Sequence, residues 1–232
     1  MKVTAIKTAI YTPSQSLIEF ITRHIPKIPN KSVLVVTSKI VSVAEGRIGD
    51  VLNKESLIKA ESDIAIKGKY AWICVKGNDV MASAGIDESN AGDKILLLPK
   101  DSFLSATKLR KHLMKFYKLK EFGVLITDSR SLPFRSGISG VALGYAGIKG
   151  KRNYRGKKDL FGRELHFSQT NVADSIAAAA VLTMGEGNEQ RPLAIIENAP
   201  VEFIERITRS ELRIHPKDDL YAPLYEYLNS HD

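Results

Sequence analysis

Apolar and polar positions change period repeatedly along this chain. In SQSLIEFITRHIP, Leu17, Ile18, Ile21 and Ile25 share one helical face, and Pro26 marks the end of that helix. The β-branched run SVLVVTSKIV that follows reads as a buried strand, with Ser38 and Lys39 toward its end. KYAWICVKGNDVMASAGI gives two strands around a Gly-Asn-Asp turn, a hairpin signal, and KILLLP is a further strand closed by Pro99. KLRKHLMKFYKLK has helical spacing, with Leu109, Leu113, Phe116 and Tyr117 available for an inner face and its lysines for a solvated one. The strand FGVLITDS comes next, then a loop through Pro133 and the glycine-relieved strand SGVALGYAGI. NVADSIAAAAVLTMG predicts a helix with Asn171 as N-cap and Asp174 near a capping-box position, running into Gly185. RPLAIIE is a last strand, and DDLYAPLYEYL is short helical material. Strands and helices interleave irregularly, so the expected class is a mixed α+β fold, and no repeat or linker divides residues 1–232.

Composition narrows the chemistry. A single cysteine, Cys74, excludes an internal disulfide framework and a CxxC site, and its surroundings suggest a buried strand thiol. Neither a signal peptide nor an apolar run of membrane-spanning length is visible, so a cytoplasmic protein without membrane partners is expected. The net charge of +8 favours anionic partners. KGKRNYRGKK, residues 149–158, reads as a basic loop that either binds phosphate or is simply solvated.

Three carboxylates stand where elements end. Glu186 is wedged between Gly185 and Gly187 after the alanine-rich helix, Asp87 follows a strand in AGIDESN, and Asp128 closes GVLITD. Each alone is consistent with a turn former; together with the Ser129 hydroxyl they make an all-oxygen donor set suited to Mg²⁺ or Mn²⁺. The five histidines are scattered, which disfavours zinc, and no GxxxxGK[ST] occurs, so a P-loop is absent. Ser38, Lys39 and the amides of Gly185 and Gly187 are the candidate phosphate contacts. Arg135, in LPFRSG, is either a planar clamp on a carboxylate or phosphate, or a surface arginine. The residues by themselves suggest a divalent-metal, phosphate-handling enzyme.

The ordered series TSKIVSVAEGRI, SAGIDESN, LLLPKDS, GVLITDS, KKDLFGREL, NVADSIAAAAVLTMGEG and PLAII resembles the coenzyme F420-0:γ-glutamyl ligase family. Through TDSRSLPFRSGISGVALGYAGIKGKRNYRGKKDLFGREL it also resembles a shorter branch associated with folates. The resemblance implies a non-P-loop amide ligase using GTP or ATP and two divalent cations, L-glutamate, and F420-0 or a folate as acceptor, acting as a homodimer. It implies metal ligation by Asp87, Asp128, Ser129 and Glu186. Nucleotide contacts would come from Tyr11, Ser38, Lys39, Asn90, Met184, Gly185 and Gly187; beside that resemblance, Lys39 and Arg135 are the candidate catalytic cations. No appended flavin-reductase-like domain is expected. Two departures stand out: Val43 occupies the place of a lysine common in the family, and the stretch from Arg47 to Asp87 is short. The alternatives are a basic nucleic-acid-binding module, for which no helix-turn-helix, RNP-like or zinc-finger pattern is present, and a degenerate ligase-like protein.

Overall fold

Which residues can be buried on both sides decides the order of the strands. The structure is a computed structural model and describes residues 1–77 and 79–223. In chain order its elements are β1 (Lys2–Ile6), α1 (Leu17–His24), β2 (Ser32–Thr37), α2 (Ser38–Ala44), β3 (Ile48–Asp50), α3 (Lys54–Ala60), β4 (Ile64–Lys67), β5 (Trp72–Lys76) and β6 (Asp79–Ala82). They continue with β7 (Lys94–Leu96), α4 (Ser102–Tyr117), β8 (Phe122–Ser131), β9 (Ile138–Ala146), β10 (Lys151–Asn153), β11 (Gln169–Asn171), α5 (Val172–Met184) and β12 (Leu193–Glu197).

The main sheet has the order β1-β12-β2-β8-β9, with only β2 and β8 parallel. Its central strands are apolar at successive positions because both faces are covered, which is why they read as unbroken runs. Leu34, Val36, Val124, Ile126, Leu193 and Ile195 pack on one face against Phe20 and Ile21 of α1, Ile40 and Val41 of α2, and Leu109 and Leu113 of α4. Val33, Val35, Leu125, Ala194 and Ile196 pack on the other face against Ile176, Ala177 and Ala180 of α5. The alanines let that helix lie close to the sheet: at Gly140 of β9 a Cβ would meet the Ala177 carbonyl. A third cluster lies beneath the β4-β5-β6 sheet, where Cys74 is fully buried with Ile58, Met81 and Ile95.

The mixed α+β class is as expected. So are α1, the hairpin β5–β6 with Lys76 opposite Asp79, and α5 capped by Asn171, whose side chain accepts from the Asp174 amide; the structure adds Ser16 as the cap of α1. Other boundaries differ. The run SVLVVTSKIV does not stay extended: the strand stops at Thr37, and Ser38 to Ala44 turn into α2, so that Ile40 and Val41 enter the core from a helix. Packing overrides the β preference of those side chains. The strand in KILLLP is confined to Lys94–Leu96. The basic helix begins earlier than its lysines suggest, at Ser102, and Phe116 is exposed. Part of the basic loop 149–158 is strand, β10, paired with β11. Of the helical material expected in DDLYAPLYEYL, positions 224 onward lie outside the described residues. Among the described residues no helix is long and apolar enough to cross a membrane.

Candidate functional site

The parallel pairing of β2 with β8 sets Thr37 directly opposite Thr127, so the residues that follow, Ser38 and Asp128, emerge side by side. Crevices at the carboxyl ends of parallel strands are common ligand sites. The ladder to β9 shifts here, from Ile126 opposite Gly144 to Thr127 opposite Ala142, and such a bulge re-aims the side chains beside it. Ser38 Oγ donates to Asp128 Oδ1 at 3.2 Å. Burial pushes the Asp128 carboxyl above its ordinary pKa; the nearby Asp87 charge adds to this, while Arg130 and the Ser129 and Ser38 donors oppose it. Asp128 forms no ion pair among the described residues.

Asp87 follows a left-handed turn, Ser83 and Ala84 both having positive φ, and is paired to Leu96 in an isolated bridge. Its Oδ2 lies 2.8 Å from Lys39 Nζ on α2, and its Oδ1 accepts from the Ser89 amide at 2.6 Å. Lys39 also donates to Ser89 Oγ at 2.7 Å. Burial works against ionisation of Asp87, but Lys39 and Ser89 outweigh it and hold the carboxyl below the usual range.

The third wall is the turn after α5. In its last backbone hydrogen bond the Gly185 amide donates to the Val181 carbonyl, and Gly185 then takes φ 83° and ψ 169°, a region almost reserved for glycine. That turn sends Glu186 back toward β8, where its Oε2 accepts from Ser129 Oγ at 3.1 Å. Asn90, itself left-handed with φ 55°, donates through Nδ2 to the Gly187 carbonyl at 3.1 Å, joining the segment after Asp87 to the turn. The fourth wall is the segment Thr8–Tyr11. Tyr11 is buried edge-on against Phe20, its hydroxyl donates to the Gln15 carbonyl at 2.7 Å, and burial raises its pKa.

These walls enclose a cavity of about 480 Å³. Of the expected residues, Tyr11, Lys39, Asn90, Asp128, Ser129, Met184, Gly185, Glu186 and Gly187 line it. Ser38 and Asp87 stand one hydrogen bond or ion pair behind Asp128 and Lys39. Arg135 is not brought in: it is exposed in the 132–137 loop and is not among the lining residues. Val43 lines the cavity, so the position that departs from the family faces it. Sequence reasoning missed Glu189 and Arg191, which also line the cavity, although both lie only a few residues beyond Glu186.

Among the described residues, no three His, Cys, Asp or Glu side chains stand close enough to hold an ion as they are placed. Asp87, Asp128 and Glu186 are instead satisfied by Lys39, Ser38 and Ser129. The donor set nevertheless fits a hard divalent cation. It is all oxygen, and Asp128 is a carboxylate in a desolvated setting whose side-chain hydrogen-bond donor is a neutral hydroxyl. The lining carries Asp128, Glu186 and Glu189 against Lys39 and Arg191, so a phosphate-bearing ligand would need added positive charge there.

The sequence profile described as F420-0:Gamma-glutamyl ligase matches residues 51–198. A coenzyme F420:L-glutamate ligase of Methanococcus maripaludis (strain C7) is 40% identical over 155 residues, 67% of this chain and 59% of that protein. The chain thus spans about three fifths of that relative's length. The protein of the same name from Archaeoglobus fulgidus is 35% identical over 203 residues, 77% of this chain and 81% of the relative. The one from Haloarcula marismortui is 31% identical over 215 residues, covering 81% and 82%.

Proposed function

The chain belongs to the F420-0:γ-glutamyl ligase family, and from that premise we propose that it is a nucleotide- and divalent-metal-dependent ligase. It joins the amine of L-glutamate to a carboxylate on coenzyme F420-0 or on a folate. The observation that supports this reading best is the convergence on one cavity of side chains from sites as distant in sequence as Tyr11, Lys39, Asn90, Asp128 and Glu186.

Amide formation from a carboxylate in water is uphill, so the carboxylate is first activated. An acceptor oxygen attacks the γ-phosphorus of GTP or ATP; the bond to the bridging oxygen breaks, and an acyl phosphate and a nucleoside diphosphate result. The glutamate amine then attacks the acyl carbon; the C–O bond breaks, inorganic phosphate leaves, and the nitrogen loses its proton. Catalysis of the first step consists chiefly of positioning and charge neutralisation. Asp87, Asp128, Ser129 and Glu186 would hold divalent cations, which would supply that neutralisation when bound. Lys39 sits against Asp87 and Ser89, where its ammonium adds a fixed positive charge. Tyr11, Ile40, Val181, Met184 and Pro192 form an apolar lining that limits water around an acyl phosphate. The Asn90 bond to Gly187 ties the nucleotide-facing turn to the Asp87 segment.

A homodimer completes the reading. It is supported by large apolar side chains left exposed among the described residues: Ile64, Ile66, Ile73 and Val80 on the outer face of the β4-β5-β6 sheet, and Leu160, Phe161 and Phe167 on the segment between β10 and β11.

The deciding experiment is mass spectrometry of paired reactions containing the protein, Mg²⁺ with Mn²⁺, GTP or ATP, L-glutamate, and either F420-0 or a reduced folate. A product heavier by one glutamyl unit with one acceptor identifies the substrate. No such product with either acceptor, under any nucleotide, overturns the reading.

A further inference from the structure

The turn from Gly185 to Pro192 holds an anion contact that the ligase chemistry above leaves unused. Glu189 folds back on its own turn, and its Oε2 accepts the Gly187 amide proton at 2.8 Å. The same carboxylate lies against Gly185, in the space a side chain would fill at that residue. A backbone donor in the cavity wall is thus already satisfied by an internal anion. Glu189 is exposed and lines the cavity, so the carboxylate can swing away without opening the core.

The surrounding charges bear on what could replace it. Lys39 is committed to Asp87 and Ser89. Arg191, two residues beyond Glu189 and also in the lining, makes no ion pair or side-chain hydrogen bond among the described residues. A carboxylate at an amide is a charge-assisted hydrogen bond, and a phosphate oxygen is an equivalent acceptor for the same proton. A polyphosphate entering the cavity meets one more negative charge while Glu189 stays, and gains a backbone donor once it leaves.

We propose that Glu189 is a displaceable internal anion. It occupies a phosphate subsite made by the Gly187 amide and flanked by Arg191, and the polyphosphate tail of the nucleotide takes that amide by expelling the carboxylate. This rests on the nucleotide in the ligase reading and adds a competitor that sets its affinity. Apparent affinity is the intrinsic affinity multiplied by the fraction of molecules in which the subsite is open. A carboxylate resident about 70–90% of the time weakens binding about 3- to 10-fold. Glu189→Gln keeps the size and loses the charge, and Glu189→Ala removes the plug.

The test is isothermal titration calorimetry of the whole protein with GTP, ATP and inorganic tripolyphosphate in Mg²⁺, on wild type, Glu189→Gln, Glu189→Ala and Arg191→Ala. Tighter nucleotide and tripolyphosphate binding by about 3- to 10-fold in both Glu189 variants, with weaker binding in Arg191→Ala, is the expected result. Wild-type binding with equal or weaker affinity in the Glu189 variants overturns this proposal and leaves the nucleotide site standing. No binding by any of the four proteins overturns the nucleotide reading and this proposal together.

Discussion

Gly185 and Asp128 show how single residues commit this cavity. With φ 83° and ψ 169°, Gly185 occupies backbone space that an L side chain enters only under strain, on the order of 1–3 kcal/mol. A Cβ there would also collide with the Glu189 carboxylate. Gly185→Ala is therefore expected to destabilise the fold by a free energy in that range, seen as a lower urea midpoint at an unchanged slope, and to redirect Glu186 away from Ser129. Asp128→Asn tests the opposite case. The carboxylate is desolvated with no cation paired to it among the described residues, so its neutral isostere keeps the Ser38 contact and is expected to melt no lower than wild type in chelator. Turnover should nonetheless fall by about two orders of magnitude or more, as for removal of a main charge-stabilising group. Normal turnover in that variant would remove Asp128 from the metal set. Positions of this kind are legible in a sequence: a carboxylate between two glycines, or at the end of an apolar run, advertises itself. Arg135 and Arg191 do not. Both are loop arginines in polar surroundings, and only the fold decides that one lines the cavity and the other faces solvent.

Among the elements, α4 gives the clearest energetic test. Asp101 caps it, with Oδ1 accepting the Leu104 amide at 2.9 Å and Oδ2 at 2.9 Å from Arg209 in the segment that follows β12. Burial opposes ionisation, but the Leu104 amide and Arg209 prevail and hold the carboxyl below its ordinary pKa. Asp101→Ala should cost about 1 kcal/mol at pH 7, the usual worth of such a cap. A depressed folded pKa contributes stability above the unfolded pKa of about 3.9 that is lost as the pH falls through the lower, folded value. The difference between wild type and Asp101→Ala in chemical denaturation should therefore narrow as the pH drops below about 4; a gap that stays constant would assign the effect to packing. Asn171 of α5 and the apolar central strands are local signals, which is why sequence exposes them; the start of α4 at Asp101 lies ahead of the basic run and is not legible from it. The switch from β2 to α2 at Ser38 is not local: Ile40 and Val41 favour strands, and they turn helical because the core below β2 and β8 receives them in that form. Three-residue strands such as β3, β7, β10 and β11 are too short to show a period.

Over the whole molecule, the apolar surface is harder to reconcile with a lone chain than the charge is. A net charge of +8 keeps copies apart at long range and suits anionic ligands. Yet Leu160, Phe161 and Phe167 are 98%, 89% and 85% exposed, more than an isolated surface residue needs, and they occupy one hairpin-like segment held by the Lys158–Glu164 bridge. On the small sheet, Ile66 and Ile73 are direct cross-strand partners with both side chains on the uncovered face, while the alternate residues Ala65 and Cys74 point inward to the third cluster. Strand alternation would place polar residues on a face meant for water, so a second copy is the cover that the homodimer reading supplies. Leu160→Ser with Phe161→Ser removes one patch, and Ile66→Lys with Ile73→Lys places charge on the other. Sedimentation equilibrium should show wild type at twice the chain mass, and at least one double variant at the single mass with an unchanged circular dichroism spectrum. A wild type that sediments as one chain at all concentrations would refute the dimer. A dimer that survives both double variants would move the interface to another face.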